Sequence, residues 1–217
     1  MKKICILLFV IGISFSGWSQ NSGSFNDFGV ILGPGMSHIL GGESWEPTFG
    51  LLAGIETNLY DINENSSIKG GVIFTIQGAN YSEDYSTDYF TKVLKSTQFD
   101  DMTFSGKVSL SYIYVPILYN YVSNNGIYFE GGIQPGILVS AKDKYDDGDS
   151  YDYKDYIKTF DLGIPVGAGY WVNDRLSVGA RAVFGLTTID TDESVDSSES
   201  NRNFMLLGIV RLNLNKN

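Results

Sequence analysis

Seven charged side chains could act together if alternating strands turn them to one side of a sheet. They are two glutamates, one aspartate, two lysines and two arginines, namely Glu56, Lys69, Lys107, Glu130, Asp161, Arg181 and Arg211. Charges of both signs in a confined space can form a structural network of ion pairs, line an ion path or build a binding pocket. The interior of a barrel of eight strands is just wide enough to be filled by side chains. We therefore expect a structural polar network in the lumen, with an ion path or pocket as the alternative.

Hydrolysis is a second chemistry that the sequence allows. Ser37 precedes His38, the only histidine of the chain, and together with a lumenal carboxylate they would supply the residue types of a Ser/His/acid set in a lipid-modifying esterase or deacylase. Adjacent residues of a strand point to opposite faces, so these two side chains cannot readily hydrogen-bond. We expect no catalytic residue and no enzyme activity, and keep an outer-membrane lipid-modifying enzyme as an alternative.

An acidic, tyrosine-rich segment, KYDDGDSYDYKDY at 144–156, is the third candidate. Its carboxylates include those of Asp146, Asp147, Asp149 and Asp152, and hard oxygen ligands of this kind suit a divalent cation such as calcium. The segment lacks the spacing and the terminal glutamate of an EF-hand loop, which favours a solvated surface loop, and no metal or cofactor is expected. Its tyrosines could instead bind a protein or other ligand, because tyrosine gives contact area at low entropic cost.

The elements that would position these groups show most clearly at 159–188. Two runs of strict alternation there place large apolar residues on one face and mostly Gly, Ser and Thr with isolated charges on the other. A period of two over about a dozen residues predicts strands. An apolar exterior around a narrow polar lumen, on strands of about ten residues, is what a membrane barrel requires.

Six further segments alternate in the same way, at 27–38, 48–60, 67–80, 106–121, 127–141 and 203–215. The phase of 106–121 is less regular, because Ile113, Val115 and Ile117 fall on its nominal lumen side. Together with the hairpin they predict an all-β fold, an eight-stranded antiparallel up-and-down transmembrane β-barrel.

Connection lengths give this barrel an orientation. The links after strands two, four and six are short, including a turn on Asn125-Gly126 and one at 172–174, whereas the other links are about 9, 25, 17 and 14 residues long. Barrels of this type have short periplasmic turns and long outer loops, so both termini are expected in the periplasm. Turn length also determines whether the odd-numbered or the even-numbered residues of the next strand face outward. We expect this outward parity to switch across Asn125-Gly126 and to stay the same across 172–174.

Prolines oppose an uninterrupted barrel. Pro34, Pro116, Pro135 and Pro165 lie inside predicted strands, and proline cannot donate a hydrogen bond to a ladder. We expect bulges or kinks at these positions, and a break in at least one strand.

The chain divides into a secretory signal peptide at 1–20 and one barrel domain at 21–217. The first segment has two lysines, an apolar run and small residues before Gln20. It also contains Cys5, the only cysteine, so the mature chain would have no disulfide and no cysteine-based metal site. Removing its two lysines leaves 13 basic and 25 acidic residues, a formal charge of −12, which disfavours nucleic acid as a partner.

Several strand motifs resemble the PorT-like outer-membrane β-barrel family of Bacteroidota, often called porin-family. They are YVPIL at 114–118, the glycine-rich run at 131–140, FDLG at 160–163, GAGY at 167–170 and LSVGAR at 176–181. The resemblance implies an eight-stranded barrel in a Gram-negative outer membrane and no shared catalytic residue. Many such barrels end on an aromatic residue, whereas this chain ends on Asn217.

The function expected from these observations is non-enzymatic: a barrel with a filled lumen whose acidic loops bind a surface ligand or partner, or which supports the envelope. A narrow passive channel and the enzyme named above are the alternatives. Expected partners are outer-membrane lipid, the barrel-assembly and periplasmic chaperone machinery, and an extracellular ligand or protein at the loops. A monomer is expected.

Overall fold

The structure, a computed structural model, describes residues 28–41, 45–85, 102–145, 150–152, 154–189 and 202–214, without the side chains of 83–85 and 102–104. The predicted signal peptide lies outside these residues. The described chain is built from strands, in the order β1 (Phe28–Leu40), β2 (Trp45–Glu46), β3 (Thr48–Asn63), β4 (Ser66–Tyr85), β5 (Met102–Tyr114), β6 (Ile117–Val122), β7 (Ile127–Tyr145), β8 (Ser150–Asp152), β9 (Phe160–Trp171), β10 (Leu176–Gly185) and β11 (Arg202–Asn213). A three-residue 3₁₀ turn, Lys154–Tyr156, precedes β9. No helix in these ranges is both long enough and apolar enough to cross a membrane.

The long strands close into a ring of eight. Each pairs antiparallel with its neighbours, in the order β4-β3-β1-β11-β10-β9-β7-β5, and β5 pairs back with β4. β6 continues the path of β5, because it also pairs with β4 and β7. β2 and β8 are short additions to the ends of β4 and β7. Pairing of consecutive long strands, closed by β1 against β11, confirms the predicted up-and-down barrel.

Alternation separates the two faces of this ring as expected. Large apolar side chains point outward on every long strand; Leu32, Val178 and Leu206, for example, are 50%, 41% and 50% exposed. Their inward neighbours Ile31, Ser177 and Leu207 are buried. The hairpin of β9 and β10 follows the predicted phase throughout, with register Val178↔Tyr170 at its outward positions.

The predicted phase of the fourth strand is wrong. Ile113, Val115 and Ile117 point outward and are exposed, whereas Leu110 and Tyr112 are buried in the lumen. The inward positions of β5 carry Val108, Leu110 and Tyr112, whereas its outward positions include Lys107, Ser109 and Ser111. The polar residues of this strand therefore marked the wrong face as the interior.

The predicted parity switch between strands four and five is also wrong, since the turn is longer by one residue. Ser123 N donates to Ile127 O at 2.8 Å, which leaves Asn124, Asn125 and Gly126 as a three-residue turn. Gly126 has φ of 83°, a left-handed conformation that glycine adopts without strain. Tyr121 and Phe129, opposite one another in the ladder, both point outward. The turn between β9 and β10 has the predicted three residues but is shifted by one, to 173–175, since Val172 N donates to Leu176 O at 2.8 Å. Asn173 Oδ1 accepts hydrogen bonds from Arg175 N and Leu176 N, both at 2.9 Å.

Only one of the four prolines interrupts its strand. Pro116 separates β5 from β6, and the neighbouring Val115 N donates to Pro135 O at 2.9 Å. Pro34, Pro135 and Pro165 keep register with Leu51, Leu162 and Val183 respectively. The expected break is confirmed at Pro116, and the other three are accommodated within continuous strands.

The interior is layered along the barrel axis. Nearest the short turns lies a polar layer that contains Glu56, Glu130, Arg181 and Arg211. Farther towards the long loops come two apolar clusters, one of Ile31, Leu52, Ile73, Val183, Met205, Leu207 and Ile209, and one of Ile39, Ala79, Val108, Leu110, Tyr112, Tyr114, Leu138, Ala141, Ile157 and Ile189. We call the two parts the turn half and the loop half of the lumen.

Candidate functional site

Four strands bring the charged side chains of the turn half together. Glu56 comes from β3, Glu130 from β7, Arg181 from β10 and Arg211 from β11, each at an inward position, and each is at most 6% exposed. Glycine on β9 makes room for them. Gly167 lies opposite both Glu130 and Arg181 in the ladders, and a Cβ there would stand 2.9 Å from Glu130 Oε1.

These four residues, hereafter the quartet, form a closed ring of charge-assisted hydrogen bonds. Arg181 donates from Nε to Glu130 Oε1 at 2.7 Å and from Nη2 to Glu56 Oε1 at 2.9 Å. Arg211 donates from Nε to Glu56 Oε2 and from Nη2 to Glu130 Oε2, both at 2.9 Å. Each carboxylate therefore bridges both guanidinium groups. The quartet is electrically neutral, which is the condition under which buried charges persist.

Two donors of the quartet have no partner. Nη1 of Arg181 and Nη1 of Arg211 are buried without a hydrogen bond to any described residue. The Arg211 guanidinium also lies 5.3 Å from the centre of the Tyr128 ring, where an aromatic face attracts a cation.

Lys69 stands beside the quartet but outside its ion pairs. It projects inward from β4, and its Nζ lies 5.5 Å from the centre of a Trp171 ring. No described residue forms a salt bridge with it. Trp171 continues the inward parity of β9, two residues on from Gly169. The sequence pattern could have assigned it to the lumen.

A cavity of about 420 Å³ opens at the turn end, in front of Lys69 and Arg211. Asparagine, serine and threonine side chains form most of its wall, and the residues that line it include Asn58, Asn63, Asn65, Ser66, Ser67, Asn120, Ser123, Asn124, Asn173 and Asn213. The acidic residues Asp61, Glu64 and Asp174 lie at its exposed rim. The cavity could not be predicted from the sequence, because its wall comes from three turns and the ends of several strands.

Asp161, the remaining predicted lumenal acid, is buried in the loop half rather than in the quartet. Its carboxylate accepts hydrogen bonds from the Tyr114 and Thr187 hydroxyls and from Asn203 Nδ2, the last at 3.4 Å. Gln77 Nε2 donates to the same Tyr114 oxygen at 3.1 Å. Neutral donors, not a cation, thus hold this carboxylate.

Lys107 was predicted to face the lumen, and the structure corrects this. It pairs with Asn80 and Lys144 at outward positions of β5, while the inward positions next to it carry Gly106 and Val108. The error follows from the wrong phase of the fourth strand. Of the seven predicted residues, five lie inward at the turn half, Asp161 lies inward in the loop half, and Lys107 lies outside.

Ser37 and His38 point apart, as their adjacency on β1 requires. The Ser37 hydroxyl is buried, donates to Gly78 O at 2.9 Å and accepts from Gly78 N at 2.7 Å. His38 is on the outward face, opposite Phe204. The two side chains do not form a catalytic pair in this conformation.

Of the acidic loop residues, Asp146, Asp147 and Asp149 lie outside the described residues. Asp152 is exposed at the end of β8, opposite Lys142, and its Oδ1 accepts a hydrogen bond from Lys154 N at 3.0 Å. Within the described ranges, no three His, Cys, Asp or Glu side chains are grouped closely enough to hold a metal ion.

The comparisons with known proteins agree with the fold. Residues 18–191 match the family described as outer membrane protein beta-barrel domain. Neisserial surface protein A, NspA, has a similar structure, with a TM-score of 0.54 and 15% identity over 86% of this chain and 97% of that one. Ail of Yersinia pestis gives a TM-score of 0.45 at 14% identity over 86% and 98%, and the Escherichia coli outer membrane protease OmpT gives 0.45 at 9% over 90% and 99%. No curated protein matches the sequence significantly.

Proposed function

Since the chain belongs to the outer membrane protein β-barrel domain family and is an outer-membrane barrel, we propose that it is a non-enzymatic scaffold with a filled lumen that presents its loop end to a surface ligand or partner. The observation that carries this proposal is the occupied interior. The quartet spans the turn half, and two apolar clusters occupy the loop half. The resemblance to PorT-like barrels of Bacteroidota, the insertion by barrel-assembly and chaperone machinery and the monomeric state belong to the same proposal.

A filled lumen conducts no ions, which separates this proposal from a narrow passive channel. The folded protein is inserted into planar bilayers, with an open general porin as the positive control. We expect no steady conductance, because the side chains of the quartet and the apolar clusters occupy the lumen. Stable channels of uniform conductance would contradict the scaffold proposal and support passive transport.

The loop end offers a surface for a partner. β7 and β8 pair as a hairpin, and edge-to-face aromatic contacts connect it to β4 and β2. The ring centres are 5.7 Å apart for Tyr151 and Tyr145, 6.4 Å for Tyr145 and Tyr81 and 5.9 Å for Tyr81 and Trp45. The Tyr81 hydroxyl donates to Asp143 Oδ1 at 2.9 Å. Tyr151 at the tip is 58% exposed. Supported tyrosines of this kind provide contact area without a large loss of entropy on binding.

A photo-reactive residue tests this surface on intact cells. Placed at Tyr151, it is expected to form a discrete protein or glycan adduct. The matched control is Val178, which is similarly exposed but faces outward in mid-strand and should react only with lipid. A Tyr151 derivative that gives no adduct beyond those of Val178 would reduce the proposal to a supporting role in the envelope.

The proposed orientation puts the long loops outside the cell and the termini in the periplasm. Ser150→Cys and Asn125→Cys place a thiol at an exposed position of either end. We expect a membrane-impermeant maleimide to label intact cells at position 150 and to label position 125 only after lysis. Labelling in the opposite pattern would show that the barrel has the opposite orientation in the membrane.

A further inference from the structure

The turn-end cavity contains a lysine, Lys69, that forms no ion pair with any described acid. The quartet is balanced within itself, so Lys69 leaves the polar layer with one net positive charge. Its Nζ makes no hydrogen bond or ion pair with the described residues and faces the Trp171 ring. Glu56 and Glu130 also attract its charge, but both are paired with the two arginines of the quartet, which repel it. A partly buried cation without a counter-charge is costly, and an anion in the cavity would offset that cost.

Buried polar atoms without partners line the same cavity. Nη1 of Arg211 and Oδ1 of Asn120 have no hydrogen-bond partner among the described residues, and these side chains belong to residues only 1% and 2% exposed. Oγ1 of Thr57, another lining residue, is in the same condition. Buried polar groups in folded proteins are almost always satisfied. Here the unsatisfied buried atoms are one cationic donor, Arg211 Nη1, and two neutral groups, and the unpaired Lys69 Nζ lies in the same cavity.

Charge at the rim limits which anion can enter. Asp61, Glu64 and Asp174 are exposed around the mouth, so the entrance is negative. The floor carries Lys69 and Arg211 together with Glu56, whose charge is paired within the quartet, which leaves the charge of Lys69 unpaired there. A polyanion would be repelled at the rim before it reached Lys69. A molecule with one anionic group and an otherwise neutral or zwitterionic body would pass. The amide-rich wall suits a body with hydroxyl or amide groups.

We propose that this cavity is a binding site for a small polar monocarboxylate, held at its carboxylate by Lys69 and Arg211. A volume of about 420 Å³ accommodates a ligand of a few tens of atoms, within the usual range of small-molecule sites. Asn120 Oδ1 accepts a hydrogen bond from the polar body of the ligand, and the Thr57 hydroxyl can donate to it or accept from it. Trp171 closes one side of the site, and its fluorescence should change when the site is occupied, because the ring lies against Lys69.

Water alone is the competing occupant. Water molecules would satisfy Asn120 and Thr57, since ordered water bridges buried polar groups readily. They would not neutralise Lys69. The two occupants therefore differ in whether a carboxylate is bound in preference to its neutral analogue.

Fluorescence of Trp171 provides the measurement. The chain has three tryptophans, and with Trp18→Phe and Trp45→Phe only Trp171 remains. The folded protein in detergent is titrated with N-acetylglycine, with the neutral N-acetylglycinamide and with inorganic phosphate. We expect a saturable change with N-acetylglycine alone. No saturable change, or an equal change with the amide, would show that the cavity holds solvent, and equal saturation by phosphate would overturn the preference for a carboxylate.

Substitutions at Lys69 test the residue directly. Lys69→Gln should weaken N-acetylglycine binding by about tenfold or more, the worth of one charge-assisted hydrogen bond, and Lys69→Arg should retain it. Lys142→Gln, an exposed lysine at the loop end, is the matched control and should change nothing. Unchanged affinity in Lys69→Gln would overturn the assignment. Gel mobility before and after heating verifies that each variant is folded, and the comparison of the two probes on native Lys69 remains decisive if Lys69→Gln does not fold.

Discussion

The lumen is filled by side chains in both halves, but the turn half is filled mainly by charged groups and the loop half mainly by apolar ones. In the turn half, four charged side chains neutralise one another, and Arg181 and Arg211 are among the largest fully buried residues. In the loop half, leucine, isoleucine, methionine and tyrosine pack together around a single carboxylate, Asp161. Outside, the two halves are alike, because large apolar side chains cover both.

This difference shows that the two faces of a barrel strand are constrained unequally. The outward face must match lipid across the membrane, so large apolar side chains dominate it. The inward face needs only side chains that fill the space and satisfy one another. Substitutions in either half should therefore fail for different reasons and by different amounts.

The largest loss is expected from Arg181→Leu in the turn half. It leaves Glu56 and Glu130 with one guanidinium between them, and an uncompensated buried charge costs about 3–5 kcal/mol of unfolding free energy. Urea unfolding of the protein in lipid vesicles, followed by tryptophan fluorescence, measures the loss. Arg202→Leu, an exposed arginine at the start of β11, is the control and should be nearly neutral.

A double change tests whether the quartet acts as a unit. Arg181→Leu combined with Glu130→Leu leaves Glu56 and Arg211 as a neutral pair, so the combined loss should be smaller than the sum of the two single losses. Strictly additive losses would mean that the ring of hydrogen bonds does not couple these side chains.

A smaller loss, of a different origin, is expected from Leu52→Ala in the loop half. Leu52 is fully buried in an apolar cluster, and truncation there leaves a cavity that costs about 2–5 kcal/mol. The adjacent Leu51→Ala is the matched control, since that side chain faces outward and loses little packing. Vesicle unfolding curves of the two variants should differ clearly. Equal losses would mean that the apolar lumen is loosely packed.

The smallest of the three losses is expected from Tyr114→Phe, which removes one of the donors to Asp161 and keeps the ring. The cost of a buried acceptor that loses its partner is about 1–3 kcal/mol. Tyr121→Phe, exposed on the outward face, is the control. If Tyr114→Phe matches Arg181→Leu in its effect, Asp161 is as critical to the loop half as the quartet is to the turn half, and the contrast between the halves disappears.

The outward face explains how much of the fold could be predicted from the sequence. Lipid imposes a period of two on β9 and β10, and that period placed Asp161 and Arg181 in the lumen correctly. It also placed Glu56, Glu130 and Arg211 correctly, on three other strands. These charged residues lie in the interior, away from lipid.

Where the lumen becomes apolar, the same pattern fails. In β5, Leu110 and Tyr112 point inward while Lys107 points outward, so the polar face of this strand is not the lumenal one and the charge of Lys107 led to the wrong assignment. The sequence also could not predict which lumenal acid pairs with which arginine. That depends on the level of each residue along the barrel axis, and Asp161 proved to lie apart from the other acids.

The origin of the quartet along the chain has a consequence for assembly. Its two acids come from β3 and β7, whereas both arginines come from β10 and β11, the last strands of the chain, so Glu56 and Arg211 are 155 residues apart. A partly formed sheet that lacks these strands would hold two carboxylates with no guanidinium to meet them. When the final hairpin is added, β11 pairs with β1 and its arginines neutralise the two carboxylates in the same step. The open sheet is therefore less stable than the closed barrel, and this difference favours closure.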